Sequence, residues 1–332
     1  MRVPAGSARL NPLEGPFLHA PGTWRLLRVS GPDAREFLHN ILSNEVRGLA
    51  PGRGNRQLLL TATGKIAADF WCQCLDETEF LLVASGWTAE PRELLEAYVI
   101  MDDVEVNELA PGWHVEAVEG EGAAEVVRRR LGVTPPGEFG AAVPFGCSGC
   151  SGWVVCRPEL AAEGFLVVVG PAAGDSPADC RDRLGLGDLP RLSAEQETRL
   201  RLARGVPRFG VDYSGSNNPV EAGLREAYSL TKGCFPGQEV VSKATRVGGV
   251  RRRLSRLKLE GAAPPSGAKI FLPGGAEVGW VTSAAGAPEG AGAFAFGYVL
   301  SKVAVPGAGL AVGKPDGPRA WLLEYPRPGH GS

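Results

Sequence analysis

Lys232-Gly233-Cys234-Phe235-Pro236-Gly237-Gln238-Glu239 is the stretch on which the reading of this 332-residue chain turns. One thiol sits two residues after a lysine, between two glycines, and a Gln-Glu pair follows. Gly233 and Gly237 permit backbone angles or close approaches that a side chain would block. Pro236 fixes φ and removes one donor, so the octet reads as a shaped turn and not as a strand interior. Lys232 places a positive charge near Cys234, and a nearby cation favours the thiolate. The same residues also fit a Gly/Pro turn that carries an inert, buried cysteine.

Beyond the octet comes the run Arg246, Arg251, Arg252, Arg253, Arg256 and Lys258, next to the pair Gly248-Gly249. It reads as a solvated face, or as a site for a polyanion such as a polyglutamate tail, a phosphate or RNA. No aromatic residues are interleaved with it, which argues against nucleic acid. From there short strands alternate with Gly/Pro turns over 254–259, 269–272, 277–283, 294–300, 310–312 and 319–325. With no helical pattern between them, they predict a small all-β barrel.

Upstream of the octet the pattern is mixed. Ser193 and Gln196 have capping-box spacing and open a helix that stops at Gly205. Strands are expected at 24–29, 57–61, 66–75, 80–84, 104–109, 113–118, 153–157 and 165–169. Helices are expected after Gly31-Pro32-Asp33, with Gly31 as N-cap, and at 91–100, 123–131 and 179–184. Residues 137–152 read as a Gly- and Cys-rich loop, and 1–22 as a loose lead-in. The helices are too few for a wound parallel sheet, so the fold class is α+β with antiparallel layers.

Hydrophobic residues make up 44% and charged residues 22%, an ordinary globular composition. A formal net charge of −2 gives no bulk attraction to nucleic acid. Seven cysteines are too few for a disulfide scaffold, and the odd count fits reduced thiols. No apolar run approaches a membrane span, and the first residues lack a signal-peptide core, so a cytoplasmic protein is expected. Walker, GxGxxG and HExxH patterns are missing, which leaves ATP, dinucleotide and zinc-protease chemistry without support.

Asp69 is the second candidate. It stands in Gly64-Lys65-Ile66-Ala67-Ala68-Asp69-Phe70-Trp71, an apolar strand in which an acid is unusual. It either faces solvent on an alternating strand or lies in a cleft, poised to bond an amine-bearing heterocycle. The four histidines, His19, His39, His114 and His330, are all remote from Cys234 in sequence. Cys147-Ser148-Gly149-Cys150 is a CxxC without a second ligand pair, and no metal site is expected.

Taken together, these segments resemble a known family. The octet is similar to the KGC(Y/F)xGQE signature of YgfZ-type folate-binding proteins. Those are relatives of the glycine-cleavage T-protein (aminomethyltransferase) and of a mitochondrial iron–sulfur assembly factor. Gly31 to Leu38 resembles G-x-DA-x-x-FL, and Asn44-Glu45-Val46 resembles N-D-V. Gly64 to Asp69 resembles a glycine turn leading to an aspartate. Arg201 to Gly210 resembles R-x-E-x-G-x-P-x-x-G, Pro219 to Leu224 resembles P-x-EAGL, and Gly279 to Ser283 resembles G-x-V-T-S.

The resemblance implies a three-domain ring. Residues 1–50 with 185–250 would form a discontinuous first domain, 51–184 an inserted ferredoxin-like domain, and 251–328 the barrel. It also implies tetrahydrofolate or a derivative in the central channel, with Asp69, Lys232, Gln238, Glu239, Lys243 and Arg253 as its contacts. Cys234 and Asp69 would be the working groups, and iron–sulfur proteins or their assembly machinery the partners. Ala203 stands where the family has the Glu of R-x-E, so one carboxylate of the pterin site is missing. Lys243 replaces an arginine, which keeps the charge but loses the bidentate fork. The function expected is a folate-binding accessory protein of iron–sulfur assembly or repair. The alternatives are a tetrahydrofolate-dependent aminomethyltransferase and an RNA- or protein-docking module.

Overall fold

The computed structural model describes residues 15–19, 23–171, 176–246, 249–287, 290 and 292–323. Most of the lead-in, Gly248, residues 324–325 of the last expected strand and His330 lie outside them.

The described chain opens with β1 (Phe17–His19), β2 (Arg25–Ser30), α1 (Ala34–Ile41), β3 (Gly54–Leu60), β4 (Ile66–Cys74), β5 (Glu79–Trp87), α2 (Pro91–Glu96) and β6 (Glu105–Glu108). It continues with β7 (His114–Glu119), α3 (Ala123–Leu131), β8 (Ala142–Cys147), β9 (Cys150–Cys156), β10 (Gly164–Gly170), α4 (Pro177–Arg183), α5 (Ala194–Arg204) and α6 (Gln238–Arg246). The last six strands are β11 (Arg252–Leu259), β12 (Lys269–Phe271), β13 (Glu277–Gly286), β14 (Ala293–Leu300), β15 (Gly309–Val312) and β16 (Arg319–Leu323). They close into a barrel in the order β11-β14-β13-β12-β15-β16, as their alternation predicts.

Two antiparallel sheets form the rest, ordered β3-β4-β5-β2-β6 and β1-β7-β10-β9-β8. They pack face to face through Leu26, Trp71, Leu81 and Val83 against Val115, Val155, Leu166 and Val168. The outer face of the first sheet is covered by α1 and α2, with Phe37, Leu38, Ile41 and Leu95 on Phe70, Cys72, Cys74 and Leu82. The second is covered by α3 and α4. β4 is therefore buried at every position, which places Asp69 inside and not on a solvent-facing side. The first sheet takes β2 from before residue 50 and its other strands from after it, across the expected domain break. That pairing is non-local and leaves no trace in strand periodicity.

Three local readings change. Residues 137–152 are no loop: β8 and β9 pair as a hairpin, and Gly146, Pro144 and Gly152 had hidden its alternation. The octet runs into a helix, α6, which begins at Gln238. α1 starts at Ala34 with Asp33 as N-cap, past Gly31; the Asp33 carboxylate makes no cap bond and instead accepts the Asp103 amide (2.8 Å). α5 has the expected Ser193/Gln196 capping box and ends at Gly205 in the left-handed region (φ 79°).

The segment between α5 and the barrel lies on β3 and β4. Tyr213, Val220, Leu224, Tyr228, Phe235 and Val241 form one core with Leu58, Leu60 and Ile66. α5 meets the barrel through Leu202 against Leu254, Phe296 and Tyr298. A buried ion pair braces this junction. Arg201 donates to Asp212 (2.6 Å), whose other oxygen accepts from Thr282 (2.8 Å) and Ser283 (2.5 Å) of the barrel.

Candidate functional site

Asp69 is 1% exposed. It sits at a bulge, where β4 opposes Asp69 to Gly86 and Phe70 to Ala84. Leu58 is its cross-strand partner, and Arg56 pairs with Trp71, so Arg56 is the diagonal neighbour on the same face. The Arg56 guanidinium grips both Asp69 oxygens, Nε at 3.0 Å and Nη2 at 2.6 Å. The Tyr213 hydroxyl donates to the same carboxylate (2.5 Å) and accepts from Arg56 (2.8 Å). Arg56 Nη1 reaches Glu226 at 2.7 Å. Burial works against the Arg56 charge, but Asp69, Tyr213 and Glu226 hold its pKa well above the ordinary value. Burial and the Asp69 charge push the Tyr213 phenol well up, so it stays a donor. Gly86 makes room for the loop that carries Tyr213: a Cβ there would lie 2.3 Å from the Phe209 side chain.

Arg56 and Tyr213 also line a small cleft of about 70 Å³ that opens to solvent. Trp24, Arg157, Glu197, Arg201 and Phe209 form other parts of its wall. Arg157 lies over the rings of Trp24 (5.9 Å) and Trp71 (5.0 Å). Among the described residues, four buried side-chain atoms without a hydrogen-bond partner belong to this wall: His19 Nδ1, Trp24 Nε1, Arg157 Nη1 and Arg201 Nε. Three of them are obligate donors. A buried orphan donor costs about 1–3 kcal/mol, so the residues of this wall carry unmet donor capacity. Glu197, paired with Arg208, supplies a carboxylate for a ligand donor. The Ala203 side is closed: that residue is buried at the barrel end of α5, and the carboxylate α5 gives the cleft is Glu197.

The octet lies elsewhere. Gly237 (φ 75°) presses on the β3–β4 turn, where a Cβ would stand 2.6 Å from Thr61 O and 2.7 Å from Gly64 Cα. That contact is roughly 16 Å along β4 from Asp69, at about 3.3 Å per residue. The Lys232 ammonium is buried and donates to the carbonyls of His39, Leu42 and Asn44, closing the C-terminal end of α1. All three of its donors are thereby used, so it fastens the turn and offers none to a ligand. Gln238 donates back to the Lys232 and Gly233 carbonyls (3.4 and 3.3 Å). Glu239 and Lys243 form an exposed pair on α6 (2.8 Å), and Arg253 is exposed on β11. Cys234 is the one exposed cysteine of the seven.

Of the residues expected to contact a ligand, none lines the cleft, and Asp69 stands behind Arg56 and Tyr213. Sequence reasoning missed Arg56, Arg157, Glu197 and Tyr213. Arg56 alone had a signal, being diagonal to Asp69 once the hairpin register is known. It also missed His39, which is 2% exposed. Its Nδ1 accepts from the Arg47 amide (3.2 Å), and its unpartnered Nε2 lies 3.9 Å from where a Gly233 Cβ would be. The basic run is divided. Arg252 stacks on Trp280 and Arg256 on Phe294, while Arg251, Arg253 and Lys258 face solvent. Among the described residues no three His, Cys, Asp or Glu side chains gather as a metal site. Among the described residues no helix is long and apolar enough to cross a membrane.

Residues 23–136 match the model of the GCVT N-terminal domain, and residues 252–321 that of the glycine cleavage T-protein C-terminal barrel domain. An aminomethyltransferase of Parafrankia is 33% identical over 79% of this chain and 72% of its own. A protein of Arabidopsis thaliana, named as a candidate chloroplastic transferase, is 28% identical over 87% of this chain, which spans 66% of that relative's length. The crystal structure of the glycine cleavage system aminomethyltransferase T from Bartonella henselae superposes with a TM-score of 0.82 at 23% identity, over 94% of this chain and 86% of that one.

Proposed function

The chain belongs to the aminomethyltransferase family of the glycine-cleavage T-protein, and on that premise we propose that it is a YgfZ-type, folate-binding accessory protein. It takes tetrahydrofolate or a derivative into the cleft and supports iron–sulfur cluster assembly or repair in the cytoplasm through Cys234. The observation that carries the folate half is the set of unpaired buried donors at Trp24, Arg157 and Arg201. A reduced pterin has ring and carbonyl acceptors for these donors, amino donors for Glu197, and a flat apolar face for Trp24 and Phe209. When bound, the folate supplies a one-carbon carrier; the chain's part is to hold it and exclude water. Arg56 and Tyr213 are held in the wall by Asp69, which makes Asp69 a positioning residue.

The thiol half rests on exposure. Cys234 is the one fully exposed cysteine, on a turn fastened by Lys232 and Gly237. An incoming cluster or client protein is the substrate of that thiol, and the octet supplies one sulfur ligand or nucleophile.

Calorimetry with tetrahydrofolate tests the first half, and absence of binding at millimolar ligand sinks it. In cells, Cys234→Ala lowers the activity of dependent iron–sulfur enzymes; unchanged activity removes the second half. A second reading, transfer of an aminomethyl group to tetrahydrofolate, is favoured by the activity named for the relatives. Against it, both Asp69 oxygens already accept strong hydrogen bonds from Arg56 and Tyr213, which leaves Asp69 poorly placed to act as a base. Methylene-tetrahydrofolate formation that disappears in Asp69→Asn decides for transfer.

A further inference from the structure

The CxxC at 147–150 is absorbed neither by the cleft nor by the octet. Its two cysteines are direct partners across the β8–β9 hairpin. Ser148 (φ 52°) and Gly149 (φ 77°) form the two-residue connection, both in the left-handed region that a type I′ turn requires. Ser148 is the one non-glycine residue with positive φ among the described residues. Directly opposed residues of an antiparallel pair point to the same face, with Cα atoms about 4.5 or 5.5 Å apart. Both spacings fall in the window of about 4.4–6.8 Å that a disulfide spans. Cys156 cannot compete, because six residues of extended strand put it roughly 20 Å from Cys150.

We propose that Cys147 and Cys150 are a redox-active dithiol that closes into a disulfide across the hairpin tip, with a low-molecular-weight disulfide such as oxidised glutathione as co-reactant. The neighbours Gly146, Ser148 and Gly149 are exposed, Cys147 is half-buried and Cys150 is 2% exposed. Cys147 is thus the sulfur that meets the oxidant. Its thiolate attacks one glutathione sulfur, the glutathione S–S bond breaks, and glutathione thiolate leaves. The Cys150 thiolate then attacks the Cys147 sulfur of the mixed disulfide and expels the second glutathione. The two cysteine protons end on the released glutathione thiolates, and the two electrons have reduced the glutathione disulfide. Burial pushes the Cys147 thiol up, so the reaction quickens with pH. The rate rises about tenfold per pH unit while the thiolate is the minor form.

The experiment incubates the full chain with graded ratios of oxidised to reduced glutathione, quenches with acid, alkylates, digests and weighs the peptides. The exposed Cys234 is an internal control, since its glutathionylation shows that the oxidant is active. The expected result is a peptide spanning residues 142–157 that is lighter by two hydrogens and takes no alkylating agent at positions 147 and 150. Cys150→Ala should instead trap glutathione on Cys147, and Cys234→Ala should leave the hairpin disulfide unchanged. The proposal is overturned if Cys234 is modified while Cys147 and Cys150 stay fully alkylated. It is equally overturned if wild type accumulates glutathione on Cys147, or if the disulfide links either cysteine to Cys156 or Cys180.

Discussion

Asp69→Asn is the perturbation whose size can be worked most directly from the structure. The substitution keeps the volume and removes the charge. Three hydrogen bonds then lose a charged acceptor: Arg56 at 3.0 and 2.6 Å and Tyr213 at 2.5 Å. Removing one partner of a buried ion pair costs about 3–5 kcal/mol, because the other charge is left uncompensated. Glu226 still holds Arg56 Nη1 at 2.7 Å, which puts the expected loss at the lower end, about 3 kcal/mol. Tyr213→Phe removes one donor to the carboxylate and one acceptor from Arg56, and should cost about 1–2 kcal/mol. The two changes act on the same oxygen, so the double variant loses less than the sum, with a coupling of about 1 kcal/mol. Urea unfolding followed by tryptophan fluorescence measures all four proteins, and an unchanged m-value keeps the comparison valid. Tetrahydrofolate affinity falls in the same series, since Arg56 and Tyr213 form part of the cleft wall. An Asn variant within about 0.5 kcal/mol of wild type, the ordinary scatter of surface changes, refutes the reasoning.

Two further predictions concern buried basic groups. Lys232→Met leaves the carbonyls at the end of α1 without a donor and should cost about 2 kcal/mol by urea unfolding. Lys232→Arg should not restore it, because a planar guanidinium does not converge three donors on one point; full restoration contradicts the account. The histidines give opposite pH slopes. Burial pulls His19 down, but the Glu119 hydrogen bond and the charges of Glu119, Glu159 and Glu197 outweigh it and raise its pKa. Its stabilisation is complete below the unfolded value of about 6.5 and is lost as pH rises through the folded one. Burial and the Lys232 charge lower His39. Its share is present above about 6.5 and is lost as pH falls. His19→Gln should therefore flatten the alkaline limb of the stability curve and His39→Gln the acid limb. Superimposable curves dismiss both assignments.

The barrel was legible because each strand carries a local signal, with alternation inside and a Gly/Pro turn at each end. α5 was legible for a similar reason: its cap, Ser193 and Gln196, and its stop, Gly205, are side-chain chemistry written in sequence. The hairpin at 142–156 was not, since Gly146, Gly152 and Pro144 interrupt the alternation while the pairing itself is made by backbone. Asp69 was singled out as an acid in an apolar strand, but its burial depends on Tyr213 and the segment after α5, which pack on β3 and β4 from far along the chain. The cleft was the least legible part. Trp24, Arg157, Arg201 and Tyr213 come from four separate segments, and none departs locally from what a surface residue would look like. Only their convergence, with the Trp24, Arg157 and Arg201 donors left unpaired, distinguishes them.

The cleft and the thiol share one hairpin but are held by different forces. Arg56 and Asp69 sit well along β3 and β4, in a network of charges that pH and buried polar substitutions disturb. The octet sits at the tip of the same strands, where Phe235 and Val241 pack on Leu58, Leu60 and Ile66. Burying a side chain such as Phe235 contributes about 2 kcal/mol, and that contribution does not depend on ionisation. The turn around Cys234 should thus keep its shape when Asp69 or Glu197 is neutralised. Loss of folate binding in those variants, with the rate of Cys234 alkylation unchanged, follows from this arrangement. A common fall in both would mean that the β3–β4 hairpin couples them, and the two halves of the proposed function would then be one site.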